Sequence, residues 1–183
     1  MSKVTLNEND GLIDFLKITG RLKKEVRRGW VIQAGIPNPE SVADHTFRLI
    51  LLAMVIGDLR GLSTEKMMRL AMIHDLGESL VGDITPMDKD REAKRIEENE
   101  AIKKLFSNLP DKLRDEYLRL WDELCSGSSL EAKLVKEADK LEMALQATEY
   151  MGEGYSKEML SKFKVSAIQD MKDDKMLDLM RSI

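Results

Sequence analysis

The sequence predicts an all-α protein, and three observations carry that prediction. Apolar residues recur at three- and four-residue intervals through most of its 183 residues, sustained period-two alternation rich in β-branched residues is hard to find, and the densest turn signals fall between the periodic stretches. A stripe of that period turns one side of a helix towards a core, whereas a half-buried strand needs alternation.

The first helix is expected over residues 9–26, with Leu12, Leu16, Leu22 and Val26 as inward positions, ending near the RRGW segment. Residues 29–41 contain Gly35, Pro37 and Pro39 and are expected to be loop. A second helix starts near Ser41, with Val42, Leu49, Ala53 and Ile56 on one face and His45 in its first turns. Ser63 can cap a third helix, in which Met67, Leu70, Ala71 and His74 keep the i, i+3, i+4, i+7 pattern up to about Gly77. The turn-rich LVGDITPMD stretch follows, then a charged helix over 89–109 whose REAKRIEENE run reads as a solvated face. Pro110 opens a helix carrying Tyr117, Trp121 and Leu124 and stopped by Gly127. Ser128 and Glu131 form an S-x-x-E capping box for the helix bearing Asp139, which the GEGY segment at 152–155 closes; a last helix fills the C-terminus.

Composition narrows the function. With 43% hydrophobic and 34% charged residues and no interdomain linker, the chain reads as one soluble domain spanning 1–183. Its longest apolar run, residues 49–57, is too short to cross a bilayer, and MSKVTLNEND lacks the apolar centre of a secretory signal, so a cytoplasmic protein is expected. The single cysteine, Cys125, agrees with a reducing compartment. A net charge of −4 argues against a nucleic-acid polymer as partner, because such binders need a basic face to displace counterions. The 12 methionines fall at helical spacing and read as adaptable core.

The chemistry-bearing residues are few. The chain has two histidines, each on an apolar helix face beside a carboxylate, in Asp44-His45 and His74-Asp75. Either alone reads equally well as a satisfied core residue; two imidazoles with carboxylates also suit a divalent metal such as Mn, Co, Fe, Zn or Mg. Asp139 lies well inside a helix between Val135 and Met143, so its carboxylate is either a ligand or paired with Lys136 or Lys140.

His45, His74-Asp75 and the helix-borne Asp139 resemble the H…HD…D signature of the HD-domain superfamily, over nearly the whole chain. The segments RRGW, PESVADH, HDLGESLVGDITP and VKEADKLEM are similar to those of its small 5'-deoxynucleotidases, which remove phosphate from deoxyribonucleoside 5'-monophosphates. The resemblance implies a compact helical bundle, usually a homodimer, and a small-molecule nucleotide substrate. It also implies one divalent ion per chain bound by His45, His74, Asp75 and Asp139. Glu78 is then the proton-transfer residue, with Asp75 beside it in the catalytic pair, and the segment Asp83, Ile84, Thr85 and Pro86 contacts the sugar. Arg27 or Arg28 binds phosphate, with Trp30 helping to orient it; Arg27 matches the family's arginine better. Two other readings stay open: an HD phosphohydrolase acting on a triphosphate, a cyclic dinucleotide or an alarmone, and a non-catalytic metal- or nucleotide-binding module. With two histidines the chain lacks the extra imidazoles of the binuclear members.

Overall fold

The computed structural model describes residues 8–85 and 87–183. These are predominantly helical, and the described residues form no strand beyond one isolated antiparallel bridge between Val26 and Ser41. The elements are α1 (Glu8–Thr19), a 3-10 turn (Gly20–Lys23), α2 (Arg28–Ala34), α3 (Val42–Arg60), α4 (Thr64–Ile73) and the short α5 (Glu78–Val81). They continue as α6 (Arg91–Phe106), α7 (Asp111–Ser126), α8 (Leu130–Gly152), α9 (Lys157–Asp170) and α10 (Asp174–Arg181). None of the described helices is long and apolar enough to cross a membrane.

The framework is α3, α4 and α8. On α3 the predicted stripe of Val42, Leu49, Ala53 and Ile56 is buried against Met67, Leu70 and Ala71 of α4 and Leu134, Ala138 and Leu141 of α8. Its start is fixed by a full capping box: Ser41 accepts from the Asp44 N–H, and the Asp44 carboxylate takes the Ser41 N–H at 2.9 Å. Gly57 lets α3 and α4 approach, since a Cβ there would lie 3.0 Å from the Thr64 Cα. A second, smaller core of Trp30, Ile36, Ala147, Tyr150 and Leu160 joins α2, α8 and α9.

Several boundaries differ from the sequence expectation. The first helix stops at Thr19, and of its four expected inward residues only Leu22 is buried; Leu12, Leu16 and Val26 are exposed. The buried side runs instead through Gly11, which meets the Asn108 carbonyl, and Phe15, whose ring faces Phe106 at 6.4 Å. Both sides of this helix are apolar, so periodicity gives the period but leaves the phase to the partner. Residues 29–34, expected as loop, belong to α2, because Trp30 is buried and Gly35 ends the helix in the left-handed region at φ 67°. The cap of α8 is Ser129, whose side chain accepts from the Ala132 N–H, one residue after the expected Ser128. The expected last helix is two helices: the Lys172 and Asp173 N–H groups turn out to the Glu137 carboxylate, and Asp173 then caps α10.

Candidate metal centre and active site

Four side chains from three places in the chain converge. His45, wholly buried in the first turns of α3, points its Nε2 at the His74 Nε2 (3.1 Å), at Asp139 Oδ1 (3.3 Å) and at Asp75 Oδ2 (3.8 Å). His74 Nε2 lies 2.8 Å from Asp75 Oδ2. His74 caps α4 and Asp75 begins the turn that follows, so the helix end, rather than its side, presents the pair to the cluster.

The tautomers can be assigned from the other ring nitrogens. His74 Nδ1 lies 2.7 Å from the Ala71 carbonyl, which only accepts, and His45 Nδ1 meets the buried carboxylate of Glu142. Each Nδ1 therefore holds its proton, and both Nε2 atoms face the cluster together with the two aspartates. Donors bound to one ion at about 2.0–2.2 Å stand about 3 Å from one another, which is the spacing found here. One donor each from His45, His74 and Asp139 lies within 4.8 Å of the others.

The charges tell the same story. Burial and Arg27 push the His45 imidazole down, but the hydrogen bonds to Asp139 and Glu142 and the Asp139 charge raise it to about 9. Burial works against ionised Asp75 and Asp139, yet His74, His45 and Arg27 hold Asp75, and Lys140, His45 and Arg27 hold Asp139, well below the usual carboxylate range. The cluster thus demands positive charge, which a proton on His45 supplies in the protein alone and a divalent cation would satisfy. Asp139 combines both readings of the sequence: Oδ1 faces His45 while Oδ2 pairs with Lys140 at 3.2 Å.

Glu78 lies at the start of α5, buried, with Oε2 meeting no hydrogen-bond partner. Burial first, then Asp75 and Asp83, raise its pKa well above the ordinary carboxyl value, against Arg27 and Lys94. It is therefore a carboxyl that can hold a proton beside the cluster.

The adjacent arginines diverge. Arg27 turns its guanidinium to Asp75 (3.5 Å), where Asp75, Asp139, Glu78 and Glu40 keep it charged despite burial. Arg28 turns away, forking onto Asp88 at 2.9 and 3.2 Å. Trp30 does not line the site: it is 1% exposed, its ring stacks near Phe163 and Tyr150, and its indole N–H donates to Glu40 at 3.0 Å. In the turn-rich segment Asp83 is half-buried and bonded to the Arg28 N–H, while Ile84 and Thr85 are buried and the Thr85 hydroxyl donates to Asp88. Pro86 lies outside the described residues.

Sequence reasoning missed the support behind His45. Glu142 is fully buried, three residues after Asp139 on α8, so one helix grips both nitrogens of the same ring. Arg48 holds the other Glu142 oxygen at 2.9 Å and continues to Gln146 and Glu149. The i, i+3 spacing within VKEADKLEM was the available signal.

A family model described as HD domain matches residues 19–179. The 5'-deoxynucleotidase HDDC2 of Homo sapiens is 46% identical over 140 residues, 76% of this chain and 68% of the human protein. The protein of that name from Danio rerio is 41% identical, over 95% of this chain and 86% of its own. Among solved structures, the PH0347 protein from Pyrococcus horikoshii OT3 superimposes with a TM-score of 0.79 at 34% identity, covering 93% of this chain and 96% of that one. The family match over residues 19–179 establishes that this chain belongs to the HD-domain family.

Proposed function

We propose that the chain is a metal-dependent 5'-deoxynucleotidase, releasing phosphate from deoxyribonucleoside 5'-monophosphates. The observation that carries this reading is the convergence of His45, His74, Asp75 and Asp139 with a charged Arg27 on one side and the unpartnered Glu78 carboxyl close by. The names of the relatives, 5'-deoxynucleotidases at 38–46% identity, supply the substrate class.

His45, His74, Asp75 and Asp139 would hold one divalent ion per chain, Mn, Co, Fe, Zn or Mg. When bound there, the ion supplies Lewis-acid polarisation of a phosphoryl oxygen and a lower pKa for coordinated water. Arg27 offers the phosphate a planar fork of donors, exchanging Asp75 for a dianion. Glu78, poised to carry a proton, takes it from the attacking water or returns it towards the departing 5'-oxygen, with Asp75 as its charged neighbour. Asp83 to Thr85 would form the wall on the sugar side. Trp30 acts through Glu40 instead of touching the phosphate.

The matched span supports reading 1–183 as one domain, and the single cysteine supports a cytoplasmic setting. A homodimer is supported by the outer side of α3, where the exposed Phe47 (66%), Leu51, Val55 and Leu59 follow at four-residue spacing, and where Phe47 shares an apolar groove with Leu16 of α1. The deciding experiment is phosphate release from a panel of deoxy- and ribonucleoside 5'-monophosphates by chelator-treated protein before and after Mn or Co is added. Metal-restored hydrolysis of the deoxy series is expected; no restored hydrolysis of any monophosphate would overturn the reading.

A further inference from the structure

The tandem arginines leave one guanidinium with no part in the cluster, and its partners form a connected hydrogen-bond network. Arg28 donates its backbone N–H to Asp83 Oδ2 at 2.6 Å and its Nη1 to the Asp83 carbonyl at 3.2 Å. The same side chain forks onto both oxygens of Asp88, and Asp88 Oδ2 in turn receives the Thr85 N–H at 2.8 Å and hydroxyl at 2.9 Å. Two further anchors reach the segment from elsewhere: Glu25 accepts the Asp83 N–H at 3.1 Å, and Lys94 of α6 donates to the Ile84 carbonyl at 2.8 Å. The stretch opens at Gly82 with φ 77°, where a side chain would be strained and would crowd Glu25.

We propose that Arg28 and Asp88 form a positioning latch that sets the Asp83–Thr85 wall at a fixed distance from the Arg27 phosphate clamp, and so select the alcohol of the ester. The proposal rests on the phosphomonoesterase reading above. Consecutive residues carry the two duties: Arg27 faces Asp75, and Arg28, one peptide on, holds the wall. Phosphate anchor and leaving-group wall are thereby referred to one rigid peptide. The latch itself is partly solvated, with Arg28 at 43% and Asp88 at 30% side-chain exposure, so it adds little to global stability. Its effect is concentrated on where the wall stands, and a displacement of about 1 Å at a reacting group can cost about 100-fold in rate.

The test uses Arg28→Gln and Asp88→Asn, which remove charge while keeping a hydrogen-bonding side chain, together with the Arg28→Asp/Asp88→Arg exchange. Three readouts apply to the Mn-loaded full chain: kcat/KM for deoxy- and ribonucleoside 5'-monophosphates, competitive inhibition by inorganic phosphate, and backbone amide exchange across 82–90. The single variants should lose about 10- to 100-fold in kcat/KM for the deoxy series and move the deoxy-to-ribo ratio towards one. Inhibition by phosphate, which needs the clamp and not the wall, should stay within about twofold, while the Asp83 and Thr85 amides exchange faster. The charge exchange should recover part of the ratio. A wild-type deoxy-to-ribo ratio in both single variants, or loss of phosphate inhibition in proportion to turnover, would overturn the selecting role. Unchanged exchange at Asp83 and Thr85 would overturn the latch itself. Wild-type protein inactive on every monophosphate would instead overturn the phosphomonoesterase reading, and with it any selection of the alcohol.

Discussion

Removal of the Glu142 carboxylate should weaken metal binding and the fold together, by amounts that can be worked out from its partners. Glu142 is fully buried, with one oxygen on His45 Nδ1 and the other on Arg48 at 2.8–2.9 Å. Glu142→Ala strands the His45 N–H and deprives Arg48 of its buried carboxylate, leaving it Gln146 and Glu149. An unmet buried donor costs about 1–3 kcal/mol, and the partly solvated Arg48, which keeps Glu149, adds about 0–1 kcal/mol, so the expected total is about 1–4 kcal/mol. Glu142→Gln keeps an acceptor for the ring and should cost about half as much. Loss of a ligand's outer carboxylate lowers metal affinity about 10- to 100-fold, since the imidazole is both less firmly oriented and less basic. Mn titration into chelator-stripped protein reads the affinity directly, and urea unfolding with and without Mn reads the fold. At saturating Mn, the metal-dependent part of stability should shrink by about 1.4–2.8 kcal/mol, the free-energy equivalent of that affinity loss. Wild-type Mn affinity in Glu142→Gln and Glu142→Ala alike would refute the idea that this carboxylate positions His45.

The other predictions concern proton transfer, the C-terminal helix and the α3–α4 crossing. Glu78→Gln should keep its metal and its deoxynucleotide affinity but lose about 100- to 10,000-fold in turnover; metal loss in the same preparation would make Glu78 a support of the cluster instead. Asp173 is held down to about 2 by its paired hydrogen bonds to Arg60 (2.8 and 2.9 Å) and, after the opposing effect of burial, by the α10 N–H groups. Its carboxylate therefore contributes stability in full above about pH 4, and the contribution fades as pH falls through about 2. It is worth about 1–2 kcal/mol once solvent screening is allowed for. The unfolding free energies of wild type and Asp173→Asn should accordingly converge between pH 4 and 2, and a gap that stays constant there would exclude the pairing as its source. Gly57→Ala should cost about 1–3 kcal/mol, because its Cβ would lie 2.9 Å from Thr64 Oγ1 and 3.0 Å from the Thr64 Cα; thermal unfolding measures it, and an unchanged midpoint would mean that the helices can part freely.

The sequence by itself determined the helical class, the inward stripes of α3 and α4, and the identity of the metal-centre candidates. Those features are local: a 3.6-residue period is written in the spacing of Val42, Leu49, Ala53 and Ile56, and two histidines among 183 residues, each beside an aspartate, stand out by residue type alone. Tertiary structure decided everything that depends on which neighbour a residue meets. It chose the buried side of α1, where Leu12 and Leu16 fit the same period as Gly11 and Phe15 but only the latter pair has Asn108 and Phe106 opposite. It broke the C-terminal helix, since the Lys172 and Asp173 N–H groups gain the Glu137 carboxylate in exchange for their helical acceptors. It separated Arg27 from Arg28, and it brought Glu142 to His45 across 97 residues of chain. Period is fixed by hydrogen bonding along one segment, whereas phase, breaks and charge partners are fixed by what other segments place opposite, and a linear spacing does not contain that information.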